Sequence, residues 1–109
     1  MAPPQLRDAA DLATRVAAGP FLLFKQSFRC PVSAKAFDAY QAFAAAHPAV
    51  ATGWLDVVEQ RPFSLAVAEE TGVTHASPQA LWFRDGRVVW HASHGKLTVA
   101  SFAAATGAA

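Results

Sequence analysis

Apolar and polar positions follow two periods along this chain, and the changes between them mark its elements. Leu12, Val16 and neighbouring alanines recur at helical spacing from Asp8 to Ala18, and Gly19-Pro20 stops the run. Phe21 to Gln26 is a compact apolar stretch of strand length. Helical spacing returns from Pro31 to Ala46: Val32, Ala36, Tyr40 and Phe43 fall on one face, Lys35, Asp38 and Gln41 point outward, and His47-Pro48 ends it. Trp54 to Val58 reads as a second strand. Pro62 suits the first turn of a helix running to about Glu70, with Gly72 as its stop. Gln79 to Phe83 and Arg87 to His91 are expected to be strands, joined through the hairpin signal Asp85-Gly86. Lys96 to Ala105 is expected to close the chain as a helix.

The element order is αβαβα followed by ββα. A helical crossover makes the first two strands parallel, and the hairpin makes the last two antiparallel. The fold class is therefore α/β: a mixed four-stranded sheet flanked by helices, with an extra N-terminal helix, which is the thioredoxin-like arrangement. All 109 residues are read as one domain, 1–109, with a core from about 20 to 105. That length buries a core without disulfides or metals.

Composition narrows the classes. Alanine supplies much of the 53% hydrophobic content, and Ile and Asn are absent, an imprint of codon usage. No stretch approaches the ~20 apolar residues that span a bilayer. Arg7, Asp8, Asp11 and Arg15 interrupt the N-terminal segment, so neither a signal peptide nor a membrane anchor is read there. A formal charge of +1 offers no footprint for nucleic acid or an acidic surface. The one cysteine cannot form an internal disulfide, which fits a reducing compartment and a cytoplasmic protein. Nothing points to an obligate interface, so a monomer is expected.

That cysteine, Cys30, sits where the first strand hands over to a helix, in the run Cys30-Pro31-Val32-Ser33. It has the form of a C-x-x-C redox motif whose second sulfur is replaced by a hydroxyl. Unpaired N–H groups and the dipole at a helix N-terminus favour a thiolate, and Arg29 adds a cation. Such surroundings lower a cysteine pKa from about 8.5 to roughly 3.5–7.5. Pro31 fits the first helical position, where its missing N–H costs nothing. The hydroxyl of Ser33 is placed to bond the thiolate, or to serve ordinary helix-start chemistry. A small buried core cysteine is the alternative for Cys30 itself.

Further along, Pro78 in His75-Ala76-Ser77-Pro78-Gln79 belongs to the entry of the third strand. In a thioredoxin-like arrangement this proline is cis and packs beside the active thiol, and Ser77 before it offers backbone groups to an extended substrate. Ser77, Pro78 and His75 are therefore the substrate-binding candidates, with an ordinary turn proline as the alternative. His91 and His94, with His75 and Cys30, raise the question of zinc. The C-x-x-C pair is missing and the H-x-x-H falls at a strand end, so no metal site is assigned. Alternation puts Trp90 and His91 on opposite faces, and Trp82 and Phe83 are assigned to the core. Glu69-Glu70 reads as a solvated helix end, and His47 as a cation near a helix C-terminus.

With these residues in view, the chain resembles the bacillithiol-system thioredoxin-like proteins of the YtxJ type, the monothiol bacilliredoxins. The resemblance is carried by Leu22-Leu23-Phe24-Lys25, Cys30-Pro31-Val32-Ser33, Glu59-Gln60-Arg61-Pro62, Glu70-Thr71-Gly72-Val73, His75 to Ala80 and Trp90-His91-Ala92-Ser93-His94, and spans roughly Phe21 to Thr98. At Arg29 the chain departs from the small hydroxylated residue usual before the family's cysteine. The resemblance implies a thioredoxin fold and a monothiol thiol–disulfide oxidoreductase that removes or carries bacillithiol on protein cysteines. Its partners would be a low-molecular-weight thiol and S-thiolated proteins, with bacillithiol as co-substrate and no other cofactor. Glutathione, coenzyme A or free cysteine would satisfy the same residues. Two other readings are a non-catalytic module that holds an extended partner beside Pro78, and an iron–sulfur carrier. The latter needs a glycine-rich opening that Pro31-Val32 does not supply.

Overall fold

A computed structural model describes residues 2–29 and 31–108. Its elements are α1 (Ala9–Ala18), β1 (Phe21–Gln26), α2 (Pro31–Ala46), β2 (Thr52–Asp56), α3 (Arg61–Thr71), β3 (Gln79–Arg84), β4 (Arg87–Ser93) and α4 (Val99–Thr106), with a short 3-10 turn at His94–Lys96. The sheet order is β2-β1-β3-β4. β1 runs parallel to β2 and antiparallel to β3, and β3 pairs antiparallel with β4. This is the expected mixed, thioredoxin-like sheet.

All six positions of the central strand β1 are buried, and strand alternation sends them into two cores. Phe21 and Leu23 join Leu55, Leu81 and Phe83 against Leu12 of α1 and Phe63 and Val67 of α3. Leu22 and Phe24 join Ala80 and Trp82 against Ala36, Tyr40 and Phe43 of α2 and Phe102 of α4. Full burial of such a side chain stabilises by about 1.5–3 kcal/mol. The β3–β4 turn needs left-handed backbone at both central residues, and Asp85 (φ 53°) and Gly86 (φ 77°) supply it.

Three expectations are corrected. Val32 is 49% exposed, and the buried face of α2 instead begins at Ser33. β2 starts at Thr52 and ends at Asp56, not Trp54 to Val58. Gly53 sits inside it because the segment before α1 lies against the strand: Leu6 N–H donates to the Trp54 carbonyl (2.7 Å) and Trp54 N–H to the Pro4 carbonyl (3.0 Å). The last helix begins at Val99 rather than Lys96, because Leu97 is extended and buried and Thr98 caps the helix reciprocally with Ser101. Trp90 does pack inward on Phe102 (ring centroids 6.4 Å apart), while His91 is exposed.

Candidate functional site

The carboxyl end of β1, the start of α2 and the entry to β3 meet at one end of the sheet, since Lys25 pairs with Gln79 and α2 follows β1 after four residues. Cys30 lies outside the described residues. Its chain neighbours are Arg29, which is exposed, and Pro31, the first residue of the sixteen-residue α2. Arg29 N–H donates to Ser27 Oγ at 3.4 Å, tightening the turn after β1. Phe28 is 60% exposed yet anchored edge-on to Phe37 and Trp54, at centroid distances of 5.6 and 5.7 Å. An exposed aromatic held in this way offers an apolar contact beside Arg29, and its position in a turn gave no periodicity by which to single it out.

Buried polar atoms are normally hydrogen-bonded, so exceptions point to strain or function. Among the described residues, Gln26 Oε1, Ser33 Oγ, Ser77 Oγ and Gln79 Oε1 are buried without a partner. All four belong to the segments that converge at this end of the sheet: the last residue of β1, the first turn of α2, and the entry to β3. Two of them, Ser33 and Ser77, are residues the sequence singled out.

The Ser77–Pro78 peptide bond is cis. Pro78 is buried, and its carbonyl accepts the His94 N–H at 3.1 Å, which ties the β3 entry to the turn after β4. Gln79 Nε2 donates to the Thr74 carbonyl at 3.0 Å and braces the loop between them. Alongside, a groove of about 210 Å³ runs between α2 and the 3-10 turn, with Val32, Lys35, His94 and Val99 on its walls. Among the described residues, no carboxylate lines it.

His75 stands on the other side of the loop, over α3. Its Nδ1 is 3.0 Å from Lys25 Nζ and 3.3 Å from Ser64 Oγ, and Lys25 Nζ also donates to the Ser64 carbonyl at 3.2 Å. Lys25 is fully buried, and burial pulls its pKa down to about 8. His75 is shifted below its ordinary value, first by desolvation and then by the charges of Lys25 and Arg61. Sequence reasoning selected His75 but not its two partners, which lie 50 and 11 residues away. Among the described residues, no three His, Cys, Asp or Glu side chains come together to hold a metal ion. No helix among them is long and apolar enough to cross a membrane.

A family model described as "Monothiol bacilliredoxin BrxC" matches residues 5–102. A solved thioredoxin-fold structure, described as a candidate oxidoreductase, is 30% identical with a TM-score of 0.90, covering 96% of this chain and 94% of the other. More distant matches share the fold. Mitochondrial thioredoxin 3 of Saccharomyces cerevisiae is 17% identical at TM-score 0.70, covering 96% and 92% of the two chains. Fasciola hepatica thioredoxin is 19% identical at TM-score 0.72, covering 96% and 95%.

Proposed function

The chain belongs to the monothiol bacilliredoxin family, and from that premise we propose that it exchanges thiols through Cys30 alone. Family and fold give it a thiol redox role. The finer reading is a reductase or carrier for a small thiol, bacillithiol foremost, on protein cysteines. One observation carries it: α2 opens at Pro31, directly after Cys30 in the chain, so the free N–H groups and dipole of a sixteen-residue helix begin where the thiol's chain position ends.

In the first step the Cys30 thiolate attacks the small-thiol sulfur of a protein mixed disulfide. A new S–S bond joins Cys30 to the small thiol, the old bond breaks, and the protein's cysteine leaves as a thiolate. In the second step an external thiolate attacks the small-thiol sulfur held on Cys30. It forms a disulfide with it and releases the Cys30 thiolate. No second cysteine exists in the sequence to resolve the intermediate internally. Arg29 is suited to stabilise the thiolate and to pair with the carboxylates of a malyl group. Ser33 offers the thiolate a hydroxyl that has no partner among the described residues. Ser77, Pro78 and His75 border the path of an extended substrate.

The test is mass spectrometry after treatment with oxidised bacillithiol, with Cys30 alkylation followed against pH. A fast single adduct, a thiol pKa below about 8.5 and release of the adduct by free bacillithiol are expected. A slow thiol that takes up no adduct would defeat the reading.

A further inference from the structure

Lys25 enters the core on the α3 side of the sheet, where an apolar side chain of the same length would fill the space at less cost. Among the described residues it takes part in neither ion pair. Its amine meets two acceptors instead, the Ser64 carbonyl at 3.2 Å and His75 Nδ1 at 3.0 Å. Ser64 Oγ, 3.3 Å from the same Nδ1, brings a second donor to it. An imidazole nitrogen that faces two donors accepts, because a proton there would point at an ammonium and break both contacts. The ring proton of neutral His75 therefore sits on Nε2, the nitrogen that neither Lys25 nor Ser64 engages. The residue is exposed and two positions before Ser77.

We infer that Lys25 is a positioning residue: it holds His75 as a neutral imidazole whose Nε2–H donates to a backbone carbonyl of the S-thiolated protein segment lying beside Ser77 and Pro78. The assignment rests on the thiol-exchange reading and names what that site recognises in its protein substrate. A neutral donor matches an uncharged peptide oxygen. The charged groups acting on His75 are Lys25 from β1 and Arg61 from α3, both cations, and both oppose protonation of the ring.

The tautomer is read on the wild-type protein by long-range proton–nitrogen NMR of ¹⁵N-labelled material. Nε2 is expected to carry the proton and Nδ1 to be bare, with titration below the ordinary 6.5. In Lys25→Met the two tautomers should mix and the ring should titrate closer to that value. Steady-state kinetics on an S-thiolated peptide supply the second readout. Lys25→Met and His75→Ala should each raise KM about fivefold, more than they change kcat, as loss of one hydrogen bond implies. Should Lys25→Met fail to fold, the wild-type tautomer and the surface variant His75→Ala carry the test. A protonated Nδ1 in the wild type, or an unchanged peptide KM in His75→Ala with normal adduct formation on Cys30, overturns the assignment of Lys25 alone. A protein that forms no Cys30 adduct at all overturns the exchange reading and the substrate contact with it.

Discussion

Tyr40 donates its phenolic proton to Thr52 Oγ1 across 2.7 Å, and Thr52 passes its own hydroxyl proton to the Leu22 carbonyl, also at 2.7 Å. Thr52 has one proton, and Leu22 takes it, so the direction of the first bond follows. The relay fastens α2 to β2 and β1 beneath the helix that Pro31 opens. Stacking of the Tyr40 ring on Phe24, with centroids 4.6 Å apart, completes the attachment.

Burial raises the Tyr40 pKa above its ordinary 10.0, against the smaller opposing effect of the Thr52 bond. The sign follows from linkage: the contribution to stability is fully present below pH 10 and is lost as pH climbs above it. Tyr40 is the chain's one tyrosine, so tyrosinate absorbance reports it alone. Folded protein should show no tyrosinate at pH 10, and the signal should rise only with unfolding followed by circular dichroism. Tyr40→Phe should cost about 1 kcal/mol in urea denaturation, the worth of one hydrogen bond.

Lys25 acts on stability in a lower window and with the opposite sign. Its folded-state pKa of about 8 lies below the ordinary 10.5. Below pH 8 both states hold the proton and the cost of the buried ammonium is fully present. Between 8 and 10.5 the unfolded chain binds a proton that the folded one does not, so stability rises with pH. Urea midpoints of the wild type should climb across the lower part of this window relative to those of Lys25→Met, before Tyr40 opposes them. Parallel curves for the two proteins would mean that Lys25 titrates normally.

Gly53 is required by the close approach of the N-terminal segment. A Cβ at position 53 would stand 2.7 Å from Leu6 Cδ2 and 3.1 Å from the Pro4 carbonyl oxygen. Leu6 is buried and its backbone is bonded to Trp54, so it has little room to yield. Gly53→Ala should destabilise by about 1–3 kcal/mol, as overpacking does. Trimming Leu6 to Ala in the same chain should recover part of that loss, and the double-mutant cycle measures the coupling.

This glycine also explains where the sequence could be read and where it could not. β1 and α2 were legible to the residue, because a dense apolar run and a proline at the first helical position are local signals. The apolar pattern places β2 two residues late, because Gly53 reads as a strand breaker although Leu6, forty-seven positions earlier, lies on it. The start of the last helix is hidden in the sequence because the Thr98–Ser101 capping box has serine where glutamate or glutamine is the usual signal. Of the candidate site, Arg29, Pro31, Ser33, Ser77 and Pro78 are candidates that motif and fold order alone single out. Lys25 did not: in sequence it is a charge at the end of an apolar run, and only the tertiary contacts to Ser64 and His75 show where its amine goes.

Ser33 gives the sharpest separation of folding from chemistry. Its hydroxyl is buried without a partner among the described residues, so within those contacts it stabilises nothing. Ser33→Ala should then leave the urea midpoint unchanged or raise it slightly, since removing an unsatisfied polar group relieves a desolvation cost. If the hydroxyl serves the Cys30 thiolate, the same variant should raise the thiol pKa, read as a shift of the alkylation profile to higher pH. Arg29→Ala should shift the profile in the same direction, but with a different dependence on salt. Arg29 is exposed, so its influence is screened at high ionic strength, whereas a buried hydrogen bond from Ser33 is not. Alkylation profiles of both variants at low and high salt should therefore diverge: the Arg29 effect shrinks and the Ser33 effect persists. A Ser33→Ala protein that is less stable and keeps its thiol pKa would place the hydroxyl in the fold and remove it from the chemistry.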